Sequence, residues 1–117
     1  MIPRRVFTVE EANALLPRLQ HELELIRESL AVLRKASASL PPGARMDDGG
    51  SPLNTAALAQ LHGAERRLVE LGAELKDVEQ GLFDLPALRD GRLVLLCWRE
   101  GETEVSWFHE LSAGYQG

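Results

Sequence analysis

The residues whose side chains could take part in chemistry gather near the C-terminal end of the chain, in two short motifs. The first is Leu-Cys-Trp-Arg-Glu-Gly-Glu at residues 96–102, and the second is Trp-Phe-His-Glu at residues 107–110. They supply a thiol, an arginine, a histidine and carboxylates, which are groups that bind metal ions, orient anions or transfer protons. No His-Glu-x-x-His motif, nucleophile elbow or phosphate-binding glycine loop accompanies them. The motifs therefore predict where a site lies, and they favour a binding protein over an enzyme.

One hypothesis places a small-molecule site among polar residues at the end of a small sheet. In it, Arg99 would orient an anionic ligand, while carboxylates and His109 would hold a cation or act as acid and base. An alternative is a salt-bridged rim in which Arg99 neutralises nearby glutamates. The candidate ligand-binding residues are Asp84, Arg99, Glu102, Trp107 and His109.

A divalent metal is the cofactor that the same region could hold. Asp77 and Glu79 fall in the last turns of a predicted helix, where the helix dipole disfavours carboxylates. A bound cation would explain them, although neighbouring basic side chains could also compensate. The candidate metal ligands are Asp77, Glu79, Asp84 and His109.

Composition and charge limit the class of protein. The chain of 117 residues is 44% hydrophobic and 26% charged, as expected for a single globular domain over residues 1–117. A net charge of −5 without a basic run argues against nucleic acid as a partner. No stretch reaches the roughly eighteen apolar residues of a membrane span. The one cysteine, Cys97, excludes an internal disulfide, and we predict a cytoplasmic location.

Leucines spaced by three and four residues predict a first helix over residues 8–40. Its start is a capping box, in which the hydroxyl of Thr8 and the carboxylate of Glu11 each accept from the other's backbone amide. Pro17 removes one hydrogen bond of the helix, so we expect a kink there.

A loop over residues 41–54, rich in proline, glycine and aspartate, is expected to be mobile. A second helix is predicted over residues 52–80, with Ser51-Pro52 or Asn54 at its start. The two helices share one apolar seam: Leu16, Leu19, Leu23, Ile26, Leu30 and Leu33 on the first, and Leu61, Ala64, Leu68, Leu71, Leu75, Val78 and Leu82 on the second.

The segment over residues 82–110 predicts a small antiparallel sheet of two to three strands, followed by a tail over residues 111–117. Two-residue turns at Asp90-Gly91 and Glu100-Gly101 would set its register. Asp84, Cys97 and Glu104 would then form one row on the face away from the helices. The helix-facing residues would be Phe83, Leu85, Ala87, Val94, Leu96, Trp98, Val105 and Trp107, and the apolar end of the other face would hold Pro86, Leu88, Leu93, Leu95, Ser106 and Phe108.

These elements predict an α+β protein, a long antiparallel, coiled-coil-like helical hairpin with the sheet at its C-terminal end. A hairpin that long leaves leucine surface uncovered, so we expect a homo-oligomer, either a dimer or a tetramer. The preferred function is thus a self-associating interaction module, which could also take up a protein partner. The polar site at the sheet end is the competing hypothesis.

Four spaced motifs resemble a family of short bacterial proteins known only as domain of unknown function family 2203. They lie at residues 7–17, at residues 71–87, at residues 96–102 and at residues 107–117. The resemblance covers nearly the whole chain. It supports the fold and the location of the polar surface, and it implies no activity.

Overall fold

A computed structural model, which describes residues 5–38 and 52–110, confirms the α+β fold class. The predicted loop over residues 41–54 lies almost wholly outside the described residues, and the tail over residues 111–117 lies entirely outside them. The elements in chain order are α1 (Val9–Ala38), α2 (Pro52–Leu71), β1 (Glu74–Asp77), β2 (Leu82–Arg89), β3 (Arg92–Arg99) and β4 (Trp107–Glu110).

Helix α1 begins with the predicted capping box. The backbone N–H of Thr8 donates to Glu11 Oε1 at 2.9 Å, and the N–H of Glu11 donates to Thr8 Oγ1 at 3.0 Å. The carboxylate of Glu11 also suits the positive end of the helix dipole. The helix continues through Pro17, and a kink at that residue stays a prediction.

The predicted length of the second helix is wrong. Helix α2 ends at Leu71 instead of continuing to residue 80, and the following residues form strand β1. Gly72 has a φ of +92°, and the N–H of Ala73 donates to the carbonyl of Leu68 at 3.1 Å. This left-handed glycine with its backward hydrogen bond is a Schellman motif, which closes a helix. A Cβ at Gly72 would also lie 3.2 Å from Arg5 Cβ, a tight contact, and in ordinary contact with the ring of Phe7 at 3.4 Å.

The sheet has four antiparallel strands in the order β1-β2-β3-β4, one more than the largest number predicted, because β1 replaces the end of the helix. The register of the central hairpin is confirmed. Arg89 pairs with Arg92 across a two-residue turn, and Asp84 pairs with Cys97. Asp90 and Gly91 have φ values of 51° and 78°, as a primed turn requires.

The predicted register of the last hairpin is wrong by three residues. Cys97 pairs with Trp107, whereas the two-residue turn would have paired it with Glu104. The connection is longer because α1 and β3 hold it: Val105 N–H donates to Asn13 Oδ1 at 2.6 Å, and Trp98 Nε1 donates to the carbonyl of Glu102 at 2.9 Å. An odd shift exchanges the faces of a strand. The positions of β4 therefore take the faces opposite to those predicted for them.

Proline is tolerated within β2 for a geometric reason. The N–H of Phe7 donates to the carbonyl of Pro86 at 2.7 Å, on the side of β2 away from β3. A residue in a strand directs its N–H and its carbonyl to the same side, so the missing N–H of Pro86 would also face away from β3. No hydrogen bond between β2 and β3 is lost, and β2 keeps its pairing with β3 over eight residues.

The core lies between the helices and one face of the sheet. Phe83, Leu85 and Trp98 are 0–3% exposed and pack in one cluster with the α1 and α2 side chains. That cluster includes Leu19, Leu23, Ile26 and Leu68 from the predicted seam. The central part of the seam is therefore buried within one chain and is not available to a partner.

A buried ion pair joins the two helices. Glu22 is fully buried, and Arg67 donates to its two oxygens from Nε at 2.6 Å and from Nη2 at 2.9 Å. Arg18 Nε lies 3.5 Å from the same carboxylate. Burial alone would raise the pKa of Glu22, yet these two guanidinium groups hold it below its usual value. The pair therefore fixes how α1 and α2 align.

Glycine at position 81 is required by both backbone and packing. Its φ is +66°, and a Cβ there would lie 2.6 Å from Glu100 Cβ and 3.0 Å from Leu23 Cδ2. We predict that Gly81→Ala lowers the free energy of unfolding by about 2–4 kcal/mol, the sum of left-handed strain and overpacking. Urea denaturation measures this change.

Gly91→Ala is the matched control, because its φ is +78° and a Cβ there would meet nothing within 4 Å. This variant should show the backbone strain alone, about 1–2 kcal/mol. Equal losses in the two variants would contradict the packing argument for Gly81.

Candidate functional site

A cluster of three titratable side chains lies on the sheet face opposite the helices. Asp84 on β2 is paired with Cys97 on β3, and His109 on β4 is paired with Leu95 two residues away from Cys97. All three therefore share one face. His109 Nε2 lies 3.5 Å from Asp84 Oδ2. We name Asp84, Cys97 and His109 the outer-face cluster.

Asp84 is the buried member of this cluster, with 3% of its surface exposed. Burial raises the pKa of Asp84, which the charges of His109 and Lys76 oppose and that of Glu74 reinforces. A carboxyl group in this position holds a proton more readily than one in water. It can therefore accept or donate a proton toward a bound molecule.

Cys97 is kept as a thiol by the same neighbours. Burial raises its pKa, and the negative charges of Asp84 and Glu102 and a hydrogen bond with Asp84 raise it further. A thiolate is the form that attacks electrophiles and binds metals. Cys97 is consequently a poor nucleophile.

Strand β1 adds two charged side chains to this face. The sequence pattern did not predict that they belong to the sheet. Glu74 is paired with Asp84, and Lys76 Nζ lies 3.5 Å from Glu74 Oε1. Both were predicted within a helix, where they would have had no defined relation to the sheet. The sequence signal that could have located them is Gly72, which adopts a left-handed conformation and ends the helix just before the strand.

The other three predicted ligand residues are not members of the outer-face cluster. Arg99 and Glu102 close a turn: the N–H of Arg99 donates to Glu102 Oε1 at 2.7 Å, and the N–H of Glu102 donates to the Arg99 carbonyl at 3.0 Å. The guanidinium of Arg99 donates to Gln80 Oε1. Trp107 lies opposite Cys97 in β4. The structure thus brings Asp84 and His109 together, while Arg99 and Glu102 serve the turn.

The four predicted metal ligands do not converge. Asp77 Oδ1 accepts from the N–H of Gln80 at 3.0 Å, which closes the turn after β1. The carbonyl of Glu79 accepts from Arg27 Nη2 at 3.0 Å. Within residues 5–38 and 52–110, no three His, Cys, Asp or Glu side chains are placed to hold a metal ion.

An apolar groove of about 420 Å³ runs between α1, α2 and β1. Charged side chains of both signs, Glu65, Glu74 and Lys76, also line it. We name it the lateral groove. Its apolar lining includes Ile26, Leu30, Leu61, Leu68, Leu75 and Val78.

Known proteins offer a comparison for this fold, for the outer-face cluster and for the lateral groove. A family model described as Uncharacterized conserved protein (DUF2203) matches residues 5–117. The chain belongs to this family. No curated protein and no solved structure matches it. The DUF2203 description states no activity. Among the described residues, no helix is long and apolar enough to cross a membrane.

The buried carboxyl of Asp84 predicts a pH-dependent contribution to stability. The pKa of Asp84 in the folded protein is raised above the ordinary value of 3.8 that it has in the unfolded chain. Folding therefore favours the protonated carboxyl group, and the stability that this group contributes is lost as the pH rises from the unfolded pKa through the folded pKa. Asp84→Asn removes the titration. We expect the variant to gain stability relative to the wild type as the pH rises from below 3.8 to neutral.

Thermal unfolding of both proteins across that pH range measures the difference. Asp90→Asn makes the same chemical change in the exposed turn of the central hairpin, where asparagine also tolerates a positive φ. It should not reproduce the trend. A constant difference between wild type and Asp84→Asn would contradict the assignment.

Proposed function

We propose that this DUF2203 protein is a self-associating interaction module that forms a symmetric dimer through the lateral groove. The observation that carries the proposal is the groove itself, an apolar surface along both helices and one strand. The single cysteine excludes an internal disulfide and suits a reducing compartment, so a cytoplasmic location is part of the proposal.

The elongated shape of the chain supports the proposal that part of its apolar surface is left exposed in the monomer. The radius of gyration is 17.0 Å, and the principal extents are 55 × 29 × 26 Å. A compact domain of this length has a radius of gyration of about 13 Å. An elongated chain buries less apolar surface than a compact one, and a second copy would cover part of the remainder.

The groove has the features that a two-fold contact needs. In a symmetric dimer one patch meets itself, so it must carry both a protrusion and a recess. Val69 is 56% exposed at the edge of the groove and supplies the protrusion. The recess lies among Leu30, Leu61 and Val78, which are only partly buried in the monomer. Two hairpins joined in this way would form a four-helix bundle.

The charges along the groove are also self-complementary. Glu74 and Lys76 are two residues apart on β1, and both are exposed. A two-fold axis near Leu75 would place each carboxylate beside the other chain's ammonium group. Such exposed pairs add little affinity, but they fix the register and disfavour other arrangements.

Val69→Asp tests the dimer. A carboxylate forced into an apolar contact costs several kcal/mol, so we expect dissociation to become at least about a hundredfold easier. Sedimentation equilibrium of wild type and variant over a range of concentrations gives the two dissociation constants.

The matched control is Leu88→Asp, the same kind of change at an apolar residue with similar exposure that does not line the lateral groove. It should leave the dimer intact. Leu23 and Leu68 of the seam are unsuitable positions for this test, because both are buried in the monomer core. A monomeric wild type, or a Val69→Asp protein that still dimerises, would refute the proposal.

A second candidate function is small-molecule binding at the outer-face cluster. The observation that favours it is Asp84, a buried carboxyl with an imidazole 3.5 Å away and a thiol beside it. Burying a carboxyl group is unfavourable unless hydrogen bonds or opposite charges compensate for the lost water. A ligand that supplies further hydrogen bonds would offset that penalty.

Native mass spectrometry of freshly purified protein tests this second function. We expect a retained small mass in the wild type and in the Asp90→Asn control. Asp84→Asn and His109→Ala should both lose it, because each removes a partner of the ligand. A wild type without added mass, or variants that keep it, would exclude the cluster as a tight binding site.

A further inference from the structure

A second cavity, of about 250 Å³, lies next to the start of α1, on the helix-facing side of the sheet. Phe7, Val94, Leu96 and Val105 line it with apolar side chains. All four are 2–6% exposed and belong to the core cluster, so the wall is rigidly packed. We name this space the terminal cavity.

An arginine lies at the mouth of the terminal cavity. The guanidinium of Arg89 stands 4.1 Å from the centre of the Phe108 ring, and both residues line the cavity. Across the part of the chain that the structure describes, no carboxylate lies within 4 Å of Arg89. A stacked guanidinium keeps its donor edge available for an anion.

The register of the central hairpin brings a second cation to the same place. Arg92 pairs directly with Arg89, so the two side chains leave the same face of the sheet. Arg92 therefore adds a second positive charge beside Arg89 at this end of the sheet.

The start of α1 adds backbone donors on the other side of the cavity. Thr8 and Val9 line it, and the capping box already uses the N–H groups of Thr8 and Glu11. The first-turn N–H groups of Val9 and Glu10 lack carbonyl partners within the helix. The positive end of a helix 30 residues long lies at this point.

The rim of the cavity is apolar and open. Val9, Leu88 and Phe108 are 50%, 61% and 42% exposed, and all three line the cavity. Large apolar side chains grouped around a recess are typical of a binding site. The cavity therefore offers apolar walls with cationic and N–H donors at one side.

We propose that the terminal cavity binds a small apolar carboxylate, whose carboxylate group is held by Arg89 and whose single ring or short branched chain packs between Phe7 and Phe108. Arginine binds a carboxylate through two parallel hydrogen bonds. A singly charged ligand fits better than a phosphate because Glu10 and Asp90 directly follow the lining residues Val9 and Arg89 in the chain, which carries a net charge of −5.

Titration with phenylacetate, followed by amide chemical shifts, tests the proposal. We expect saturable shifts at Val9, Glu10 and Val105. Phenethyl alcohol and phenethylamine, which keep the ring and replace the carboxylate, should bind at least about tenfold more weakly. Arg89→Gln should weaken phenylacetate by about tenfold as well.

Arg34→Gln is the matched control, since it removes the same charge from an exposed residue near the far end of α1. It should bind phenylacetate as the wild type does. The same spectra report whether each variant is folded. Phenylacetate binding that is absent, unchanged in Arg89→Gln, or equalled by phenethyl alcohol would overturn the proposal.

Discussion

The contacts of Arg27 with three backbone and side-chain partners hold the helical layer and the sheet in one alignment. Its guanidinium donates to the carbonyls of Val78 and Glu79 and to both carboxylate oxygens of Glu100, all at 2.8–3.1 Å. Hydrogen bonds from Gln20 and Arg27 also hold the pKa of Glu100 below its usual value. One side chain of α1 thereby fixes the turns on both sides of the central hairpin. Gln20 of the same helix also donates to Glu100, from Nε2 to Oε2 at 2.6 Å.

That alignment determines where the functional surfaces lie. The N–H of Glu100 donates to the carbonyl of Gly81 at 2.9 Å, so the turn after β1 and the turn after β3 are joined directly. The strands that carry Asp84 and Cys97 are thus both held to α1, at the start of β2 and at the end of β3. The outer-face cluster is therefore placed by contacts on the helix-facing side of the sheet, and its geometry depends on the hairpin register that Asp90 and Gly91 set.

The sequence predicted the features that depend on local chemistry and missed those that depend on distant contacts. The capping box at Thr8 and the Asp90-Gly91 turn need only neighbouring residues, and both are present. Strand β1 was missed because Leu71, Leu75 and Val78 also fit a helical spacing, while the helix ends where Gly72 meets Phe7. The last register was missed because Asn13, 92 residues away, holds Val105. The contact between His109 and Asp84 follows from that register. The predicted register would not have brought these two side chains to the same face of the sheet.

Strand β1 connects the two surfaces for which functions are proposed. Glu74 and Lys76 line the lateral groove, and their charges also act on the pKa of Asp84 in the outer-face cluster. A second copy seated in the groove would remove water from both side chains, and electrostatic interactions strengthen when water is removed. Dimerisation and the protonation of Asp84 would therefore influence each other, and by linkage the effect is reciprocal. The two functions are consequently compatible in one molecule, with β1 as the element through which one would affect the other.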